Sequence, residues 1–353
     1  MPDTPKKRQK GIEFYEEWME GEGIPIYYNP VGVEDVTELP RRPWARLGGN
    51  GTFIRTEGTK EAESLLYVVE IPAGGSLEPE KHMYDELIYI LRGRGLAEVW
   101  HEGQGKRTFE WGEGSLFAMP TNVLHRLVNG GREPVIFLAR TNAPVVMNAF
   151  RNTDVIFHCD YKFTDRYTGQ SDYFHADENK ERLKEGVTSV WETNFVPDVR
   201  KTLLDPHEHK VEGGHLTFLR MATWGSLHIR EWPQGKHHMA HYGNGSGAVL
   251  LILKSVGYAL LWLRQYGIHP FQDGHGDKVM RMNWKPGSIY SSGVGAGDWF
   301  HAHYNTGPGP ARMLALKGNQ RSRGSVVGFE SVRDGGNVIQ YADEDPEIRR
   351  LFK

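Results

Sequence analysis

The chain repeats itself, and that repeat constrains its fold more than any other feature. ILRGRGLAEVW, from Ile90 to Trp100, recurs as ILKSVGYALLW, from Ile252 to Trp262, with Ile, Leu, Gly, Ala and Trp at a constant offset. Farther on, Trp111, Gly114 and Ser115 recur as Trp284, Gly287 and Ser288. His125, Asn129, Gly131, Pro134, Leu138 and Ala139 then recur, in order, as His301, Asn305, Gly307, Pro310, Leu314 and Ala315. Insertions change the offset but not the order, which marks two copies of one structural unit. A length of 353 residues gives each copy room for an ordinary core, since single domains run to about 100–200 residues.

Each copy alternates short runs rich in Val, Ile, Leu and aromatics with Gly, Pro and Asn, the texture of a sandwich or barrel. Two short helices are expected. Gly11 to Glu20 sets Ile12, Tyr15, Trp18 and Met19 on one face, and Asp345 to Phe352 starts with Pro346. The most apolar run, Val249 to Leu263, is shorter than the about 20 residues of a membrane span and is broken by Lys254 and Arg264, so it reads as buried strands. Phe150 to Leu204, including SDYFHADENKERLKEG, reads as connecting strands plus a charged helical or loop segment.

Charge selects no partner. The 42 Lys and Arg against 45 Asp and Glu give a formal net charge of −3, which predicts neither nucleic acid nor an anionic membrane as a partner. Cys159 is the lone cysteine, which excludes an internal disulfide and a Cys-rich zinc site. With a charged Met1–Lys10 that lacks the apolar core of a signal peptide, the expected location is cytoplasmic. GNGSG and GVGAG lack a P-loop lysine and the strand-to-helix setting of a dinucleotide fingerprint, and read as turns.

The chemistry sits in paired motifs. In GGSLEPEKHMYDELIYILRG, Glu80 and His82 are two residues apart and share a face on a strand, while a turn lets Glu86 rejoin them. In GSLFAMPTNVLHRLVN, Pro120 and Asn122 suit a hairpin turn that presents His125 inward. The second copy offers His237, His238 and His241 in KHHMAHYGNGSG, then His301 and His303 on one strand face.

These stretches resemble the two motifs of the cupin superfamily, whose first reads Gly, five residues, His-x-His, three or four residues, Glu, six residues, Gly. The resemblance covers Gly48 to Thr141 and Arg220 to Gly318. It implies a mainly β fold of two tandem jelly-roll barrels with a few short helices. The implied division is an N-terminal helix and extension over 1–47, barrels over 48–149 and 211–318, a connecting segment over 150–210 and a tail over 319–353.

His82, Glu86 and His125 fall on family ligand positions. Glu80 replaces the first histidine, and either a metal or an Arg or Lys would claim it. Asn122 replaces a motif-two glycine, which a left-handed backbone tolerates. In the second copy the family glutamate falls near Ala248, which has no carboxylate, so the site reads as all histidine. His241, His238 and His301 are its expected metal ligands, with His237 an alternative, and His303 is the catalytic candidate beside bound substrate or oxygen.

An all-histidine set is similar to that of ring-cleaving bicupin dioxygenases of the gentisate and salicylate type. The resemblance therefore implies Fe(II), with Mn, Ni or Zn as alternatives, and cleavage of a carbon–carbon bond in a small hydroxylated aromatic or oxo acid by dioxygen. The alternatives are a non-oxidative metalloenzyme (a decarboxylase or lyase) and a non-catalytic small-molecule binder. A homo-oligomer is expected, as bicupins often pair. His101, His158, His175, His207, His209, His215, His228, His269 and His275 lie outside the motifs and read as hydrogen-bonded core or surface residues, the HEH of His207–His209 as part of a charged loop.

Overall fold

The computed structural model describes residues 13–56, 64–177, 183–185, 188–222, 226–242, 248–294, 298–317 and 330–352. Gly11, Ile12, Met1–Lys10, GNGSG, the end of GVGAG and part of SDYFHADENKERLKEG lie outside them.

Strands built from the Val-, Ile- and Leu-rich runs dominate, and each half forms two facing sheets, antiparallel except where Ile26–Tyr28 and Thr188–Glu192 join the larger ones in parallel. In the first half the larger sheet runs Asn50–Arg55, Leu65–Ile71, Val135–Thr141, Glu86–Arg92, Leu116–Met119. The smaller one runs Leu124–Val128, Arg94–Trp100, Arg107–Gly112. The second half repeats the plan with His215–Arg220, Ser226–Trp232, Ala311–Lys317, Ala248–Lys254 and Ile289–Ser291. Its smaller sheet runs His241–Tyr242, Trp299–Asn305, Gly257–Leu263, Met280–Trp284. These are two jelly-roll barrels of the cupin architecture. The run Val249–Leu263 supplies two buried strands, as its composition requires.

Each barrel is completed by a strand from outside it. Phe195–Val196, from the stretch between the copies, pairs with Phe117 and Leu116 of the first barrel. Gly32–Val33, from the N-terminal stretch, pairs with Tyr290 and Ile289 of the second. The two attachments are equivalent bond for bond. Ser115 Oγ donates to Pro197 O and Ser288 Oγ to Glu34 O. Val199 N donates to Gly114 O and Val36 N to Gly287 O. Gly114 and Gly287 both sit at φ +90, and a Cβ there would meet the Asp198 carboxylate at 2.2 Å or the Asp35 carboxylate at 3.2 Å. The repeated glycine is thus required by the turn and by the segment that docks on it.

Three kinds of core result. Phe53, Tyr67, Ile88, Phe117 and Phe137 fill the first barrel, and Trp232, Leu250, Leu261 and Met313 the second. A further cluster joins outward faces of both, Leu66, Val68, Leu87 and Leu138 against Leu227, Ile229, Leu251 and Leu316, with Val36 and Val199 of the docked segments inside it. The alternation along one strand explains this, since Leu227 and Ile229 face the shared core while Trp232 faces the barrel interior.

Helices are short. Phe14–Gly21 begins with a reciprocal Glu13–Glu16 capping box and buries Tyr15, Trp18 and Met19, and Pro346–Phe352 closes the chain. No described helix is long and apolar enough to cross a membrane.

Candidate metal centre

Strand pairing brings the first-barrel motifs together. Glu80 and His125 form a mutual backbone bridge, with Glu80 N to His125 O at 3.0 Å and His125 N to Glu80 O at 2.9 Å. Glu86 enters as the first residue of Glu86–Arg92. Asn122 takes φ +56, the left-handed turn expected of it, and donates to Cys159 O and Tyr161 O.

Glu80, His82, Glu86 and His125 each offer a donor atom, all within 4.8 Å of one another, and the last three residues are buried. Glu86 Oε2 lies 3.5 Å from His82 Nε2 and 3.3 Å from His125 Nε2. All three atoms are buried without a hydrogen-bond partner. Buried polar atoms are seldom left unpaired, so three aimed at one point fit a cation. The far nitrogens are committed: His82 Nδ1 meets Tyr84 O at 2.8 Å and His125 Nδ1 meets Val123 O at 2.9 Å. Because a carbonyl only accepts, each Nδ1 donates, which leaves each neutral Nε2 with a lone pair facing the centre. Tyr84 stacks on His82 with centroids 3.8 Å apart and fixes the ring plane.

The Tyr67 hydroxyl donates to Glu86 Oε1, leaving Oε2 for the centre. Burial opposes ionisation of Glu86, but the adjacent His125 and His82 imidazoles prevail and hold its carboxyl well below the usual range. Burial likewise pulls the His125 pKa down, while Glu86 and then Glu80 raise it above its ordinary value.

Glu80 answers to both claimants named by the sequence. Its Oε2 is ion-paired with Arg46 while Oε1 lies 4.0 Å from His125 Nε2. Arg46 also pairs with Glu22 at 2.9 Å and packs over Trp44 and Phe157. Arg46, Tyr67 and Tyr84 went unseen in the sequence. Tyr84 lies inside the motif, but Arg46 and Tyr67 lie outside it, and no spacing rule marks them. A pocket of about 240 Å³, its mouth included, adjoins the centre and is lined by Leu47, Leu77, Ile88, Leu127 and Phe137 with Glu78 and Arg126.

The second barrel keeps a histidine at the place of His125 and differs at the others. His241 pairs with His301 as Glu80 pairs with His125, and the rings face each other with centroids 4.3 Å apart. The strand register puts Ala248, which has no carboxylate, where Glu86 stands in the first barrel, and a counterpart of His82 falls in GNGSG, outside the described residues. His238 stands beside His303, centroids 5.2 Å apart. His237 turns away to Glu344 at 2.8 Å and stacks on Tyr304. Among the described residues, the first-barrel set is the only group of three or more His, Cys, Asp or Glu whose donors come so close together. His207 lies in a loop, as expected, but is buried there, with Nδ1 3.2 Å from the Arg230 guanidinium.

Comparison with known proteins agrees with this geometry. A family model described as a cupin domain matches residues 67–140, which contain all four first-barrel residues. No curated protein sequence matches the chain. Among solved structures, vicilin from tomato, Solanum lycopersicum, is similar over 92% of this chain and 97% of its own at 11% identity and a TM-score of 0.51. A variant of oxalate decarboxylase from Bacillus subtilis is similar over 83% of this chain and 78% of its own, at 11% identity and a TM-score of 0.49. For the enzyme from Lactobacillus farciminis the figures are 81%, 85%, 13% and 0.49. At such identities the likeness concerns the fold alone. Residues 67–140 match a cupin domain, and the paired barrels give the chain a bicupin-like architecture.

Proposed function

We propose that the chain is a metal-dependent enzyme whose first barrel acts on a small acid or oxo acid by non-oxidative chemistry, as a decarboxylase or lyase. The observation that carries this reading is the convergence of His82 Nε2, His125 Nε2 and Glu86 Oε2, buried and without protein partners. Two imidazoles and a carboxylate suit Mn, Fe, Ni or Zn. Such an ion, held by His82, His125 and Glu86 with Glu80 Oε1 at hand, supplies a Lewis acid for a carbonyl or carboxylate oxygen.

The protein's own residues do the rest. Tyr67 and the backbone acceptors of His82 and His125 preset the donor atoms. Arg46 neutralises part of the Glu80 charge, which leaves the centre receptive to an anionic substrate. The apolar pocket wall excludes water, and Arg126 at the pocket offers a cation to a substrate carboxylate while its Nε holds Glu98 at 2.6 Å.

A second reading keeps the Fe(II) dioxygenase implied by the sequence resemblance. Two histidines and one carboxylate with open positions are also the ligand type of non-haem iron oxygenases. Its basis moves to the first barrel, because the all-histidine argument rested on the second. Anaerobic purification, metal analysis, and parallel assays of carbon dioxide release and oxygen uptake over small oxo acids and aromatic acids distinguish the two. Turnover without oxygen uptake, lost in His125→Ala, is the expected result; oxygen-dependent turnover overturns the non-oxidative reading.

A further inference from the structure

The rung next to the ligand positions is apolar in the first barrel and polar in the second. Leu77 N donates to Leu127 O at 2.9 Å, and His238 N donates to His303 O at 3.1 Å in the equivalent place. Val69 pairs with Phe137 as Arg230 pairs with Met313. Phe117 and Tyr290 both pair with the exchanged strands. Thus Val69, Leu77, Phe117 and Leu127 are replaced by Arg230, His238, Tyr290 and His303. Four changes at one level of one barrel form a set.

Their environment is closed. Arg230 is 5% exposed, and His238, Tyr290 and His303 are at 1% or below. The Arg230 guanidinium donates to His207 Nδ1, a neutral acceptor, and no carboxylate pairs with it among the described residues. Neither ring nitrogen of His238 has a partner. Tyr290 Oη lies 2.8 Å from His303 Nδ1. A buried guanidinium left without a counter-charge is costly, and the missing counter-charge is an anion.

From this arrangement we infer that the core of the second barrel is a receptor for a small carboxylate, taken by the fork of Arg230 with His238 beside it. A planar carboxylate matches the guanidinium fork and supplies the one negative charge the site lacks. A divalent cation would instead meet a fixed positive charge with no carboxylate to offset it. The inference does not depend on the reaction proposed for the first barrel.

Calorimetric titration of the full-length protein with sodium acetate, against sodium chloride at equal ionic strength, tests it. One acetate per chain, no comparable chloride binding, and affinity retained in His125→Ala are expected. Arg230→Val, which installs the residue of the first barrel, should weaken acetate by more than about tenfold. His238→Leu, likewise the first-barrel type, should weaken it too, and serves if Arg230→Val does not fold by circular dichroism. Absence of acetate binding, equal affinity in the folded variants, or its loss in His125→Ala overturns the inference. So does a second metal ion per chain that His238→Leu removes.

Discussion

The two barrels share strand order, the glycine-serine turn and the mode of docking of an outside strand, yet they place different chemistry at matching backbone positions. The first has Glu80, His82, Glu86 and His125 over an apolar rung. The second has His241 and His301 at two of those places and Ala248 at the place of Glu86, over a rung of Arg230, His238, Tyr290 and His303. What a duplicated fold preserves is the framework. What it does is set by a handful of inward positions, and the sign of the charge there separates a cation site from an anion site.

The strongest way to break this comparison is to count metal. One ion per chain is expected, and His125→Ala should weaken its binding by more than about 100-fold, since loss of outer-shell partners alone costs 10–100-fold. His301→Ala should leave the content unchanged. Elemental analysis of the two variants showing equal losses would remove the distinction between the barrels.

The shared core gives the next largest effect. Leu251 is fully buried between the barrels, and Leu251→Ala should cost about 3 kcal/mol. Because Val36 and Val199 tie each barrel to the other's flank, calorimetry should show one transition moving as a whole. Two transitions, with only one shifted, would make the barrels independent units. Tyr67→Phe sharpens the first-barrel side: without its hydroxyl, Glu86 loses the group that orients it, and metal affinity should fall about tenfold with the fold unchanged.

Acid should expose the second barrel. Burial and then the charge of Arg230 push His207 down to about 3, and burial lowers His238 and His303 well below their ordinary value. Unfolded histidines titrate near 6.5. The unfolded chain therefore takes up protons that the folded chain refuses, and stability falls as pH drops below about 6.5, by up to ~1.4 kcal/mol per pH unit per histidine. His207→Gln keeps an acceptor for Arg230 and should reduce that slope by about one proton. Denaturant midpoints at a series of pH values give the slope, and an unchanged one would mean that His207 already titrates normally.

Much of the framework was legible because the repeated residues are those the backbone demands. Gly114 and Gly287 hold φ +90. Asn129 and Asn305 each donate to backbone carbonyls at the end of a hairpin. The first-barrel set was legible because its spacing is local to two motifs. The second set is less legible because insertions blur its first motif, and Arg230 gave no sign of being without a carboxylate. Arg46, paired with Glu80 across 34 residues, and His207, folded in from a charged stretch, depend on tertiary contacts that no period records.

The exchanged strands also set a schedule for synthesis. Until residue 196 has left the ribosome, Leu116–Met119 stands as an open edge of the first sheet, able to pair with another nascent chain. Gly32–Val33 is made early, yet its partner Ile289–Ser291 arrives about 250 residues later, so this strand spends most of elongation unpaired while Ile26–Tyr28 before it already has its partner in the first barrel. Such distant pairings slow folding. The first barrel is completed midway, once the stretch between the copies is made, whereas the second waits for a strand from the far end of the chain, and the native state is reached only when that last flank docks.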